Sequence, residues 1–159
     1  MATATWVRNE LEERGVHYEE LHYGDVYTAQ ELAASQHISG HHLAKVVVVM
    51  VDGRPVELIL PASRHVHLDR VRELLDSHDV RLATEAEMEE YFADCELGAI
   101  PALRHWQGVA VLMDRSMRVS GDIVFPAGTH RDAVRVKFQD WFDLVQPRVE
   151  SFCDAPETL

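Results

Sequence analysis

The feature that most constrains this chain is an apolar run, AKVVVVMV, at residues 44–51. Consecutive β-branched residues favour an extended backbone, and apolar residues that do not alternate with polar ones are typical of a strand buried on both faces. The run therefore predicts a central strand over residues 45–51. Lys45 stands at its entrance, where a flexible ammonium either extends to water or faces a cavity that holds an anion or a polarised oxygen.

The remaining pattern predicts an α+β fold. A second apolar run at residues 56–60 is separated from the first by Asp52-Gly53, which predicts a β-hairpin. Further strands are predicted at residues 17–23, 109–113, 122–125 and 134–138, and helices at 4–14, 29–36, 68–75, 84–92 and 139–145. Capping boxes open two of these helices, at Thr28 with Glu31 and at Thr84 with Glu87. Because helices and strands do not alternate steadily, a mixed sheet is favoured over a doubly wound parallel one.

Composition limits the location and the partners. A chain of 159 residues predicts one domain over residues 1–159. No apolar stretch reaches the roughly 20 residues that cross a bilayer, so we expect a cytoplasmic protein without a membrane partner. The net charge of −12 argues against extensive binding to a DNA duplex, while contact with a few terminal nucleotides is compatible with it. Any basic surface would come from the arginines at positions 104, 115, 118 and 131.

Ten histidines raise the question of a metal site. On a strand, His65 and His67 would share a face, as two ligands should, and this gives the hypothesis of a metal-dependent hydrolase. Their segment, however, follows Pro61 and leads into a helix, which predicts a surface turn. No third ligand stands at a helpful spacing, and Cys95 and Cys153 form no metal-binding pair. We therefore expect solvated or capping histidines, with no metal and no cofactor.

Two glycine loops are candidates for binding. The first is CELGAIPA at residues 95–102, and the second is AGTH at residues 127–130. Gly98 permits a positive φ or a close backbone approach, and Pro101 stiffens its turn. Backbone N–H groups in such loops can bind a carbonyl, a carboxylate or a phosphate. The alternative is that both loops are simply tight connections.

Four segments resemble one known family in their order and spacing. They are LAKVVVV at 43–49, LILPASRHVHLDRVRELL at 58–75, CELGAIPAL at 95–103 and VFPAGTHRDAVRVKFQDWFDLVQP at 124–147. Together they resemble the YbaK family of aminoacyl-tRNA deacylases, which is related to the editing domain inserted in bacterial prolyl-tRNA synthetases. The resemblance implies a mixed, barrel-like β-sheet flanked by helices, with a cleft for the aminoacylated adenosine at the tRNA 3′ end.

The resemblance also implies roles for individual residues. Lys45 matches the family's functional lysine, which positions the substrate, and Gly98 matches the first residue of a G-x-x-x-P loop whose backbone holds the ester carbonyl. These two residues are the implied catalytic pair. Substrate binding is implied for the rest of both loops, at Pro101, Ala102, Ala127, Gly128, Thr129 and His130. The chain departs from the pattern at Ala102, which stands in place of a proline, and at Leu103-Arg104 in place of Phe-Gly. These departures leave the edited amino acid and the activity open.

The resulting hypothesis is a trans-editing hydrolase that deacylates mischarged aminoacyl-tRNA. The substrate itself assists the reaction, and backbone donors stabilise the oxyanion. An aminoacyl-tRNA synthetase is a further candidate partner. The alternative hypothesis is a non-catalytic module of the same fold that binds an aminoacyl or nucleotide ligand. The sequence identifies neither the tRNA nor the oligomeric state.

Overall fold

A computed structural model describes residues 4–22, 42–117 and 120–154 of the chain. The helices are α1 (Thr5–Glu13), α2 (Leu68–Leu75), α3 (Glu85–Tyr91) and α4 (Phe138–Val145). The strands are β1 (Tyr18–His22), β2 (Ala44–Val51), β3 (Arg54–Pro61), β4 (Val80–Leu82), β5 (Ala110–Asp114), β6 (Asp122–Pro126), β7 (Asp132–Lys137) and β8 (Arg148–Glu150). The predicted helix at residues 29–36 lies outside the described residues, together with its capping box.

The predicted hairpin and central strand are confirmed. Asp52 and Gly53 have φ values of 51° and 79°, and two consecutive positive values are what a tight two-residue hairpin turn requires. β2 lies between β4 and β3 in a five-stranded sheet of order β4-β2-β3-β5-β8. Both edges of the apolar run are thus hydrogen-bonded, which explains its unbroken hydrophobic pattern.

The predicted α+β fold with a mixed sheet is also confirmed. β3 pairs with β5, and β5 with β8, in parallel, whereas the β2 pairings are antiparallel. A second, antiparallel sheet has the order β1-β7-β6. A parallel bridge between Leu43 and Val124 joins the sheets, and in the described part of the chain they do not close into a barrel.

The two faces of β2 pack against different parts of the core. Val48 packs with Phe92 and Ile100 on one face. Val49 packs on the other face, in a cluster that includes Val71 of α2 and Phe152. Successive side chains of a strand point to opposite faces. Lys45, four residues before Val49, therefore lies on the same face as Val49.

Local caps follow the predicted chemistry. Thr84 and Glu87 form the expected capping box at the start of α3. Arg81 donates two hydrogen bonds to Glu87, at 2.6 and 2.8 Å, and these bonds lower the pKa of that carboxyl to about 2. None of the helices described has the length and apolar character needed to cross a membrane.

Candidate functional site

The structure brings the two glycine loops together. The Glu96 N–H donates to the Gly128 carbonyl at 2.9 Å, and the Gly128 N–H donates to the Ala99 carbonyl at 3.0 Å. A Cβ added at Gly128, where φ is 99°, would lie 3.1 Å from the Ala4 Cβ. Glycine at position 128 therefore permits both the turn and the close approach of the N-terminal segment.

In the first loop, residues 96–98 are exposed and residues 99–102 are buried. Gly98 has a φ of 82°, in the left-handed region that favours glycine. Ala102 is fully buried in the core, and its carbonyl accepts a 2.7 Å hydrogen bond from Trp141 Nε1. Pro101 is buried beside it. The departure at Ala102 thus lies in the packing beneath the loop, while Gly98 faces outward.

The second loop uses its backbone donors internally. The Ala127 N–H donates to the Asp132 carbonyl at 2.9 Å, and the His130 N–H donates to Glu96 Oε1 at 3.4 Å. The expectation of free N–H groups in this turn is therefore not met at Ala127, Gly128 or His130. The Thr129 hydroxyl is also engaged in an internal hydrogen bond, since it donates to Asp132 Oδ2 at 2.5 Å.

Asp132 joins this turn to β1. It is 1% exposed, and its Oδ1 lies 2.6 Å from His22 Nδ1. Sequence reasoning missed this network, since His22 and Asp132 are 110 residues apart and meet only through the pairing of β1 with β7.

Lys45 lies on the face of the five-stranded sheet that is opposite to the Gly98 loop. Its partner across β2 and β3 is Leu60, a member of the cluster under α2. The ammonium is half-buried, and burial lowers its pKa below the ordinary value. Its electrostatic neighbour is Cys153, whose pKa is raised to about 12 by burial and by the charge of Asp114. That thiol is neutral at pH 7, so it does not neutralise Lys45.

A polar cavity of about 360 Å³ opens beside Cys153. Its lining consists of Arg64, Arg70, Asp114, Arg115, Ser116, Ser151, Cys153 and Asp154. Arg70 donates a 2.8 Å hydrogen bond to the Cys153 carbonyl, and Arg64 Nε is buried with no hydrogen-bond partner in the described part of the chain. Although the chain carries a net charge of −12, cationic side chains are concentrated at this opening.

The sequence predicts no extensive basic surface, and of the arginines that could form one, a single described residue lines this cavity. Arg115 lines the cavity, whereas Arg104 donates at 2.9 Å to the Val145 carbonyl and so holds the end of α4. Arg131 is exposed, and Arg118 lies outside the described residues. Arg64 and Arg70 were not singled out from the sequence, because only the fold shows that they share a cavity with Arg115.

A buried polar group under the first loop was also missed. Glu57 of β3 is fully buried, and its Oε1 lies 3.0 Å from Nδ1 of His105. The other ring nitrogen, Nε2, lies 3.6 Å from Cys95 Sγ. The available signal was a glutamate within the apolar run VELIL, since a carboxylate is rarely buried without a partner.

His65 and His67 do not meet as ligands. His65 is exposed, and His67 Nδ1 accepts the Arg70 N–H at 3.4 Å at the start of α2. The expectation of solvated or capping histidines is thus confirmed for this pair. Among the residues described, the ligand-type atoms that converge belong to Asp94, Cys95 and His105.

Comparison with known families decides the relationship. The family model of the aminoacyl-tRNA editing domain matches residues 24–144, a span that includes Lys45 and both glycine loops. The chain belongs to the aminoacyl-tRNA editing domain family. This result confirms the resemblance drawn from the four sequence segments.

Individual relatives of this editing domain agree with that assignment. A proline–tRNA ligase of Gloeobacter violaceus is 30% identical over 131 residues, which cover 78% of this chain and 22% of the ligase. The chain thus spans about a fifth of the ligase's length. The crystal structure of a candidate trans-editing enzyme for prolyl-tRNA synthetase superposes with a TM-score of 0.82 at 20% identity, covering 96% of this chain and 97% of the other. A hypothetical protein superposes with a TM-score of 0.84 at 18% identity, covering 93% and 99%. These two structures show the shared fold.

Proposed function

We propose that this editing domain hydrolyses the ester bond of mischarged aminoacyl-tRNA and acts in trans to the synthetase. The observation that carries the proposal is the family match over residues 24–144, which contains Lys45, Gly98 and the turn at 127–130. The structural likeness to a candidate trans-editing enzyme over nearly the full length of both chains supports it.

Hydrolysis of an aminoacyl ester requires few catalytic groups from protein side chains. An aminoacyl ester is already activated, so hydrolysis needs a placed water and a stabilised oxyanion. Backbone donors fixed in advance supply the second, and loss of one such donor typically costs about 10²–10³-fold in rate. In this proposal the ribose hydroxyl of the substrate helps to activate the water.

Gly98 is the proposed site of oxyanion stabilisation. The N–H groups of Ala99 and Gly128 hold the two loops, since they donate to the carbonyls of Glu96 and Ala99 at 3.0 Å each. They fix the loop but are not available to the substrate. The N–H of Gly98, exposed at the tip of the loop, is therefore the donor that we assign to the ester carbonyl.

Lys45 is proposed to hold a phosphate of the terminal nucleotides. Its half-buried ammonium lies next to Cys153, which also lines the cavity that contains Arg64 and Arg70. A cation partly removed from water interacts more strongly with an anion than an exposed one does. Lys45 is the second residue of β2, so a substrate that contacts both its ammonium and the loop on the opposite face has to cross the end of this strand.

The test is deacylation of a panel of mischarged tRNAs with enzyme in excess. We expect hydrolysis of at least one species, with a rate about 10²-fold lower for Lys45→Ala, in line with the loss of one electrostatic contact to the substrate. No hydrolysis of any species by the wild-type chain would contradict the proposed activity. Thermal stabilisation by an aminoacyl-adenosine analogue without turnover would instead identify a binding module.

A further inference from the structure

Three potential metal ligands converge at the start of the Gly98 loop. Single ligand atoms of Asp94, Cys95 and His105 all lie within 4.8 Å of one another. Cys95 Sγ is 3.6 Å from Asp94 Oδ1 and 3.6 Å from His105 Nε2. Zinc bond lengths of about 2.3 Å to sulfur and about 2.0–2.1 Å to nitrogen or oxygen place tetrahedral ligand atoms roughly 3.5 Å apart. Two edges of the cluster thus already match tetrahedral coordination.

The histidine is oriented as a ligand. Its Nδ1 lies 3.0 Å from Glu57 Oε1, and because a carboxylate only accepts, Nδ1 carries the proton and donates it. In the neutral ring, Nε2 then presents its lone pair to Cys95. A metal-binding histidine commonly donates its other ring N–H to a carboxylate, which fixes the tautomer. The rings of Trp6 and Phe92, each centred 4.6 Å from the imidazole, hold its plane.

A second observation is the unsatisfied oxygen of Glu57. This side chain is fully buried, and its second oxygen, Oε2, has no hydrogen-bond partner among the described residues. A buried carboxylate is costly unless another charge or hydrogen bonds compensate it. Burial, followed by the nearby carboxylates of Asp94 and Glu57, raises the pKa of the Cys95 thiol. The electrostatic potential at the cluster is therefore negative. A cation bound to Nε2 would offset the negative charge of the carboxylates.

We propose that Asp94, Cys95 and His105 bind one divalent zinc-class cation, with Glu57 as the carboxylate that orients His105. Three protein ligands leave the fourth position of a tetrahedral ion to water, and a sulfur–nitrogen–oxygen set selects zinc over magnesium or calcium. Binding replaces the thiol proton, which passes to solvent. Because Cys95 and His105 flank the Gly98 loop, the cation ties the two ends of that loop together.

No metal site is expected from the sequence. Cys95 and His105 are ten positions apart, a spacing that matches no common zinc motif, and the carboxylate that orients His105 is 48 residues away. The fold, not the spacing, assembles this cluster. Metal binding here does not depend on the proposed deacylase activity, because it is measured without tRNA.

The experiment is a titration of the metal-free full chain with Co²⁺, followed by competition with Zn²⁺. We expect one ion per chain, thiolate-to-cobalt charge-transfer absorption, tetrahedral visible bands and a rise in melting temperature. Cys95→Ser should lose the charge-transfer band. Cys153→Ser, which alters the other free cysteine, should retain it. Glu57→Gln should weaken binding about 10–100-fold.

Three results would overturn the proposal. One is the lack of saturable binding by the wild-type chain, and another is binding without a thiolate band. The third concerns the variant Asp94→Asn. Because this substitution changes an exposed side chain, it can be tested even where Cys95→Ser fails to fold. Its affinity for Co²⁺ should fall at least about tenfold, as for loss of an orienting carboxylate, and an unchanged affinity would exclude Asp94 as a ligand.

Discussion

At the scale of single residues, Lys45 combines an energetic cost with a proposed role. Burial disfavours its charged form, which is why its pKa is lowered, and the neighbouring thiol is neutral at pH 7. Among the described residues no charged group compensates this half-buried cation, so its charge does not stabilise the fold. In the proposed role, the substrate brings the anion that compensates the charge.

Lys45→Met should therefore separate stability from activity. A folded-state pKa below the unfolded value of 10.5 means that the cost is full below the folded pKa and vanishes as pH rises to 10.5. We expect the free energy of unfolding of the wild type to rise with pH in this window relative to the Met variant. At neutral pH the variant should be at least as stable as the wild type, while deacylation falls about 10²-fold. Urea unfolding at several pH values measures the first effect, and a less stable variant at neutral pH would argue against it.

Gly98 offers a second test at this scale, with a matched control. Alanine is strained at φ of 82°, so Gly98→Ala should lose roughly 1–2 kcal/mol of unfolding free energy and tilt the proposed oxyanion donor. Gly108 has a similar φ of 92° and open space around it, so Gly108→Ala should show a comparable loss. We expect deacylation to fall only in the Gly98 variant, by about 10²-fold. Equal activity of the two variants would exclude a role for the Gly98 backbone.

At the scale of elements, the C-terminal segment is docked by one carboxylate. Asp114, the last residue of β5, is 4% exposed. It accepts hydrogen bonds from the Phe152 N–H at 2.8 Å, the Cys153 N–H at 3.1 Å, and the N–H and hydroxyl of Ser116. Burial raises the pKa of Asp114, but these hydrogen bonds outweigh it, and the net pKa is lowered. The Asp114 side chain thus holds the segment that contains Phe152 and Cys153 against the sheet.

Asp114→Asn should loosen this docking. The amide presents one acceptor oxygen in place of two, so we expect a loss of about 1–3 kcal/mol of unfolding free energy at neutral pH. Since the folded pKa lies below 3.8, the stabilisation by the carboxylate is complete above pH 3.8 and is lost as pH falls through the folded pKa. The gap between wild type and variant, measured by urea unfolding, should narrow in acid. A gap that is constant down to strongly acidic pH would contradict the assignment.

At the scale of the whole molecule, charge limits how tRNA can be bound. The net charge of −12 repels a polyanion, whereas Arg64, Arg70 and Arg115 gather at one cavity near Lys45. Contact with the terminal nucleotides is compatible with this distribution, and contact along an entire acceptor stem is not.

The salt dependence of tRNA binding should accordingly be shallow. Four cations at most meet phosphates in this arrangement, so the slope of log affinity against log salt should be no steeper than about −3 for single-stranded ends. Arg70→Ala should reduce the magnitude of the slope by somewhat less than one unit. Fluorescence titration with a 3′-end oligonucleotide at several salt concentrations measures both quantities. A much steeper slope would require a basic surface outside the described residues.

Much of the architecture was accessible from local patterns. β2, the Asp52-Gly53 hairpin and the capping box at Thr84 follow from residue preferences that act over a few positions. The family, too, was recognisable, because the order of four segments survives even where single motif positions such as Ala102 differ. The strand, the turn and the cap depend on neighbouring residues, and the family on the order of segments, so all of them could be predicted from the sequence.

The sites depended on the tertiary structure. Whether Lys45 faces the Gly98 loop is a matter of strand register, and the pairing with Leu60 puts it on the opposite face. Glu57, Cys95 and His105 lie on three separate segments, and packing alone brings their polar atoms within about 3–4 Å. Sheet pairing and burial join residues that are distant in sequence, and no local preference encodes such distances. The chain itself therefore determined the elements and the family, while the tertiary fold decided which charges, thiols and backbone donors meet.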